Sequence, residues 1–381
     1  MPTSSRRVVS ASMASMVAAI APVHLLGSLA PEIQDELGFG DAAQGLAVAG
    51  FFGLSAVLTS WGGAFTDRRG STRALRVAVA SSLAGAIVVM TAPRYSIIVV
   101  GLLIAAIGNA IAQPGNNAFI SAGVPVERRG FALGLKQSAI PISTGLAGLA
   151  LPIIAITVGW RFAFLYPIAI ATAALLLIPA VPTAPASPTT ARVFRPSRGL
   201  ALITAGSVAA GVAVAPVGAF LVRSLEDAGF DPGTAGIVQL CGSVTLITTR
   251  ISWGRLMDRT SLDRFRFAVV LLAVGSIGYP LLAYGNAPLM VLGALIAYGA
   301  AWSWPGVAHL GVVEHHPGDI GGASGVLQAG MFTGATIGPG MFGIVAEQAS
   351  FATAWTICFG GAVLGSILIA AGGRTLRRGD T

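Results

Sequence analysis

Gly62-Gly63-Ala64-Phe65-Thr66-Asp67-Arg68-Arg69-Gly70 lies between two long apolar runs, and a degraded copy, Gly254-Arg255-Leu256-Met257-Asp258-Arg259, lies between two more. The copies stand 191 residues apart, and this offset holds well beyond them. Gly38-Phe39 pairs with Gly229-Phe230, and Gly45 with Gly236. Gly108, Pro114 and Gly115 pair with Gly299, Pro305 and Gly306, and Gly130, Gly134 and Gln137 with Gly321, Gly325 and Gln328. Chance does not hold one offset across four apolar runs, so the chain reads as an internal duplication.

Apolar stretches run at 8–30, 42–64, 74–92, 95–118, 131–156, 160–181, 200–222, 233–253, 267–284, 287–311, 322–346 and 351–371. Each is long enough to cross a bilayer as a helix, the form in which an isolated segment satisfies its own backbone polar groups. Composition agrees. Of 381 residues, 54% are hydrophobic and only 10% charged, against about 25% charged in a soluble domain. Such a chain has too little polar surface to cover a soluble fold, and too much apolar surface to stay disordered. The expected fold class is an all-α membrane protein of 12 transmembrane helices in two six-helix pseudo-repeats (6+6). The expected division is a bundle over 1–181, a linker over 182–199 rich in Pro and Arg, a bundle over 200–371 and a tail over 372–381.

Charge placement sets the orientation. With the N-terminus inside, 18 of the 23 Lys and Arg fall in inner connections, three (Arg94, Arg161, Arg223) in outer ones and two, Lys136 and Arg250, within spans. This positive-inside asymmetry puts both termini in the cytosol and explains the net charge of +8 without nucleic acid. Arg6-Arg7 before the first apolar run reads as a cytosolic flank of an uncleaved span rather than an export signal. The two cysteines lie in apolar stretches and make no disulfide framework. No GK[ST], HExxH or GxSxG motif occurs, so neither an enzyme nor a cofactor or metal site is expected. Arg in place of Lys, with high Gly and Ala, suits a GC-rich bacterial genome and hence the inner (plasma) membrane.

The loop over 62–70 resembles the signature loop of the major facilitator superfamily, and its copy at 254–259 fits the same pattern. Gly159-Trp160-Arg161-Phe162-Ala163-Phe164 resembles the usual start of the sixth span. The resemblance covers the whole chain. It implies a secondary transporter in which two six-helix halves rock about a site near the midplane. It further implies gating roles for Asp67, Arg68, Arg69 and Arg73, and for Asp258 and Arg259 in the copy. Gly63 is expected to allow two helices to approach closely, and the arginines to meet anionic headgroups. The chain departs from drug–proton antiporters in having Leu102 where they carry an Arg, and in lacking Gly-Pro after Gly145-Leu146-Ala147-Gly148.

Ionisable residues inside spans are site candidates by default. All 15 Asp and Glu fall at span ends or in loops, so a cationic substrate would meet no buried counter-charge. The two span cations are Lys136, the sole Lys, and Arg250. The resemblance places their spans, five and eight, opposite each other, where two cations repel unless an anion separates them. Arg250-x-x-x-Gly254-x-x-x-Asp258 is also similar to the eighth span of monocarboxylate and oxalate–formate type organic anion transporters. Arg suits a carboxylate bidentately, while Lys acts as a point charge. Both stems can also reach the headgroups, so anchoring stays open beside binding. Asn109, Gln113 and Asn116 share one face of span four, and Tyr298, Trp302, Pro305 and His309 one face of span ten. Asn109, Gln113, Tyr298 and Trp302 are candidate substrate contacts, with helix–helix bonding the alternative for the amides. His24, a buried group that titrates near neutral pH, is a candidate proton or substrate contact.

The function expected is alternating-access transport of a small organic anion, a carboxylate, by a monomer in the bilayer, with H+ as a candidate coupling ion. The alternative is a proton-coupled exporter of drugs or secondary metabolites, using the aromatic stripe of span ten as a hydrophobic wall.

Overall fold

The computed structural model describes residues 3–181, 195–317 and 319–378, without the side chains at 3, 4, 258 and 320. The linker expected over 182–199 therefore falls outside the described residues from 182 to 194. Every regular element among them is helical. By contacts the chain divides into two compact units, Met1–Phe39 with Gly50–Ala191, and Gly40–Ala49 with Arg192–Thr381.

The first unit holds α1 (Thr3–Ser28), α2 (Ala30–Leu37), most of α3 (Asp41–Arg69), α4 (Ser71–Met90) and α5 (Tyr95–Gly123). A broken run follows: α6 (Val126–Gln137), α7 (Ala139–Ala150), a π-helical turn (Leu151–Ala155) and α8 (Ile156–Val158). The unit ends with α9 (Trp160–Ala163) and α10 (Leu165–Leu177). The second unit holds α11 (Arg198–Asp227), α12 (Pro232–Arg259), α13 (Arg264–Ser276), α14 (Gly278–Tyr284), α15 (Ala287–Ile296), a π-helical turn (Ala297–Ala301), α16 (Trp304–His315), α17 (Ile320–Gln348) and α18 (Phe351–Arg378). The first turns of α3 belong to this unit, where the Ala42 N–H donates to Glu347 (2.8 Å) and Gln44 Nε2 to the Ala219 carbonyl (2.7 Å).

Eleven helical stretches among the described residues are long and apolar enough to cross a membrane. The expected span at 233–253 forms α12, which is long enough but falls short in hydropathy. Its second half carries Thr245, Thr248, Thr249, Arg250 and Ser252.

Proline explains most of the breaks. A proline lacks the N–H that would bond to the carbonyl four residues back, and its ring crowds that carbonyl. Accordingly α6 stops at Gln137 before Pro141, α9 at Ala163 before Pro167, α13 at Ser276 before Pro280, and the second π turn at Ala301 before Pro305. Pro22, Pro114, Pro216 and Pro339 are carried inside unbroken helices.

Packing within each unit relies on small residues, as expected where lipid replaces water and dispersion replaces the hydrophobic drive. A Cβ on Gly108 would come within 2.5 Å of the Ala78 carbonyl, so α4 and α5 meet nearly backbone to backbone. In the second unit Gly206 on α11 and Gly365 on α18 do the same, each Cβ meeting the other residue's carbonyl at 3.0 Å. Phe220, Phe342 and Trp355 form an aromatic core there, with the Trp355 indole donating to Ser224 Oγ at 2.8 Å.

Candidate functional site

In the first unit the site is built on Lys136. It lies in the last turn of α6 and is only 3% exposed. Its Nζ donates to Asn117 Oδ1 (2.9 Å) and Gln113 Oε1 (3.2 Å), both on α5. Among the described residues no carboxylate pairs with it. An ammonium has three donors, and two neutral amides occupy two of them. A buried cation held only by dipoles keeps an unbalanced charge, which an anion would neutralise. The ammonium is held by the amides of α5, of which Gln113 is half-buried and Asn117 exposed.

Asn117 is the member of this group that the face of Asn109, Gln113 and Asn116 leaves out. A signal for it existed: Gln113 and Asn117 stand four apart and so share a helix face of their own. The expected polar face instead divides among three neighbours. Asn109, buried, donates to Ser55 Oγ on α3 (3.1 Å), and its Oδ1 has no partner among the described residues. Asn116 accepts from Ser15 Oγ on α1 (3.0 Å). Of the amides on that face, the helix–helix alternative therefore describes Asn109 and Asn116, while Gln113 faces the cation. His24 is also buried, its Nδ1 lying 3.0 Å from Ser143 Oγ on α7.

In the second unit the site is built on Arg250, whose Nη2 donates to the Trp302 carbonyl at 3.0 Å. That carbonyl lies at the break between the π turn and α16, and this contact aims the guanidinium at the break. π-helical turns are frequent at functional positions. Beside it Thr249 Oγ1 and Ser303 Oγ lie 3.0 Å apart, joining α12 to the same break. Tyr298 and Trp302 have ring centroids 5.2 Å apart. They differ in exposure: Trp302 is half-buried, whereas Tyr298 is fully buried against α12. A Cβ on Gly242 would stand 2.6 Å from the Tyr298 ring, so Tyr298 belongs to helix packing. His309 is half-buried on α16.

The loop expected to gate carries one correction. The close approach lies at Gly62, where a Cβ would meet the Ala110 carbonyl at 2.6 Å; at Gly63 it would reach only Pro114 Cβ, at 4.0 Å. The register is one residue earlier because the interhelical contact runs along the face that carries Gly62. Asp67, Arg68, Arg69 and Arg73 are exposed, and none makes an ion pair among the described residues. Arg259 is likewise exposed, and the side chain of Asp258 lies outside the described residues.

One cluster was not anticipated. Glu36 on α2 accepts from Arg161 Nη1 (2.5 and 2.7 Å) and from the Trp160 indole (2.7 Å), while Arg161 Nη2 donates to the Ala92 carbonyl (2.9 Å). Gly159, with φ +103°, turns the chain so that α9 presents both side chains to α2. The Arg161 guanidinium, with help from Trp160, holds the Glu36 carboxyl below its usual range. The sequence gives its signal only in the adjacency of Trp160 and Arg161 after Gly159.

A comparison with curated proteins finds no match. Solved structures share the fold at low identity. A D-xylose–proton symporter is 17% identical with a TM-score of 0.78, over 95% of this chain and 96% of that one. A nucleoside transporter is 14% identical with a TM-score of 0.76, over 96% and 99%. A human organic anion transporter is 16% identical with a TM-score of 0.71, over 97% and 100%. The Major Facilitator Superfamily profile matches residues 8–317, most of the chain. On that match the chain belongs to the major facilitator superfamily of secondary transporters and is not an enzyme.

Proposed function

We propose that this protein carries a small organic anion, a carboxylate, across the membrane by alternating access. The observation that carries the reading is Lys136: a buried ammonium, held by two neutral amides and by no carboxylate among the described residues. An anionic substrate supplies the missing charge; in the second unit Arg250, taken by itself, is a bidentate donor suited to a carboxylate. Trp302 offers an apolar face beside it. The chain then spans the bilayer twelve times in two six-helix halves with α12 as the eighth span. The polar residues that lower its hydropathy are those that would face substrate. Both termini lie in the cytosol of a bacterial cell, by the positive-inside asymmetry, and the protein works as a monomer. If protons are coupled, His24 or the substrate carboxylate carries them. The solved structures of like fold are a D-xylose–proton symporter, a nucleoside transporter and an organic anion transporter, so fold alone does not select among substrates.

The test is thermal stabilisation of the purified protein by small carboxylates, inorganic anions, sugars and lipophilic cations, beside Arg250→Gln. A ligand at about 100 times its dissociation constant adds roughly 2.7 kcal/mol. Stabilisation by carboxylates, lost in the variant, is the expected result. Stabilisation by lipophilic cations, unchanged in the variant, would overturn it in favour of an exporter whose hydrophobic wall is the aromatic stripe of the tenth span.

A further inference from the structure

The exposed surface of α12 divides lengthwise into two stripes. Ile237, Val244 and Ile251, all exposed, stand seven residues apart and form an apolar one. Beside it Cys241, Thr245, Thr248, Ser252 and Arg255 follow at spacings of four, three, four and three, which keeps them on one helix face. Thr245 is half-buried and the other four are exposed. At the offset of 191 the same positions on α3 hold Gly50, Leu54, Val57, Trp61 and Ala64, of which the last three are exposed. One surface, built twice, is apolar in the first unit and polar in the second.

The hydroxyls of the polar stripe bond within their own helix. Thr245 Oγ1 donates to the Cys241 carbonyl (2.8 Å), Thr248 Oγ1 to the Val244 carbonyl (2.9 Å) and Ser252 Oγ to the Thr248 carbonyl (2.9 Å). Their hydrogens are satisfied in this way without a neighbouring helix, while the oxygens keep lone pairs for a donor from outside. Hydrocarbon offers no such donor, and water does. Arg255 makes no ion pair among the described residues. Elsewhere in this unit the exposed surface suits lipid: α18 presents Phe359, Leu364 and Ile367. Thr249, one turn from both Thr245 and Ser252, borders the polar stripe. Its hydroxyl lies 3.0 Å from Ser303 Oγ, at the break where the Trp302 carbonyl holds Arg250.

We propose that the polar stripe of α12 lines a water-filled path along which an anionic substrate travels between Arg255 and the break at Arg250. The stripe of Ile237, Val244 and Ile251 meets lipid beside it. Arg255 stands at the mouth of the path, where its charge draws anions and repels cations. The hydroxyl oxygens further along keep the anion's water in place without binding the anion itself, since their hydrogens are engaged. The inference rests on the proposed function for the sign of the cargo, and on the asymmetry between α3 and α12 for the water.

The experiment modifies the full-length protein, in phosphatidylcholine nanodiscs open on both faces, with an anionic and a cationic methanethiosulfonate. Each rate is divided by that reagent's rate on free cysteine. Thr248→Cys and Ser252→Cys, each with Cys241→Ser, are compared with Val57→Cys, the position on α3 that corresponds to Thr248, also with Cys241→Ser; Cys358 is buried in all of them. Lipid excludes a charged reagent strongly enough to slow modification about 100-fold, so the two α12 variants should outpace Val57→Cys by about that factor. The anionic reagent should be the faster, and Arg255→Gln should remove most of its advantage. Equally slow modification of all three variants would place the stripe in lipid and overturn the proposal. Fast modification with no preference for the anionic reagent would overturn it as well. Wild-type Cys241, exposed on the same stripe, gives the reading without substitution should a variant fail to fold. If carboxylates stabilise the protein through Arg250 while the stripe stays unreactive, the path falls and the carboxylate reading stands. If the stripe reacts with anionic preference while no carboxylate stabilises, the carboxylate reading falls and the path holds for another anion.

Discussion

The two units share residues at a constant offset of 191, yet their charges stand in different places. Lys136 in the first unit corresponds to Leu327 in the second, which is fully buried. Its amide partners Gln113 and Asn117 correspond to Trp304 and Ala308, both buried as well. Conversely Arg250 in the second unit corresponds to Thr59 in the first, whose hydroxyl donates to the Ser55 carbonyl of its own helix at 2.6 Å. Each unit thus demonstrates how the scaffold fills the other's charged position without a charge. A cation that the fold does not need, buried at a cost, is a candidate for work on a ligand. The breaks divide in the same way. α5 runs unbroken through Pro114, while the corresponding run in the second unit breaks into α15, a π turn and α16 at Pro305. The first unit breaks its fifth run instead, where the second has the continuous α17.

Making the units alike is the most severe test. Lys136→Leu and Arg250→Thr install the residue of the other unit, so helicity and unfolding midpoint should be retained. Anion binding, measured by ligand-induced stabilisation, should weaken about 100-fold for either, the upper range for a hydrogen bond to a charged group. Unchanged binding would make both charges part of the scaffold and end the comparison.

Next in size is removal of the amides alone. Gln113→Leu with Asn117→Leu leaves the Lys136 ammonium buried without acceptors, and should cost about 3 kcal/mol in denaturant unfolding. Adding Lys136→Leu to that pair brings the region closer to its apolar counterpart and should recover most of the loss. A triple variant as unstable as the double would mean that the amides support packing rather than the cation.

The smallest effect concerns Glu32, which corresponds to Arg223 in the second unit. Arg223 has a partner, its Nε lying 3.4 Å from Asp41; Glu32 has a buried Oε2 with no partner among the described residues. Burial, helped by Asp35, pushes the Glu32 carboxyl up to about 7 from its ordinary 4.5. A raised carboxyl means that the folded state holds its proton more tightly. Stability is therefore lost as pH rises from the ordinary value through about 7. Glu32→Gln should unfold about 2 °C higher than wild type at pH 8 and match it near pH 4. A pH-independent difference would remove titration from the explanation.

Much of this was legible in the chain, because a bilayer allows few solutions. Length of apolar run, repeat offset and the signature loop at 62–70 led to an all-helical membrane fold, and the family match bears out the superfamily. The prolines of the spans were visible too. Which of them would break a helix was not, since Pro114 and Pro305 share one repeat position and only one interrupts its helix. Polar residues at helical spacing showed which side chains shared a face. They did not show that Asn109 turns to Ser55, Asn116 to Ser15 and Gln113 to Lys136, because spacing along one helix says nothing about which neighbour lies opposite.

The sequence alone therefore determined the class of molecule and its repeating pattern, and singled out Lys136 and Arg250 as cations within apolar runs, since these follow from hydropathy and periodicity. Tertiary structure decided the partners: Asn117 with Lys136, the Trp302 carbonyl with Arg250, Glu36 with Arg161, and Gly62 rather than Gly63 at the helix contact. Those depend on the rotation and register of packed helices, which are set by shape complementarity among many small side chains and leave no local mark in the chain.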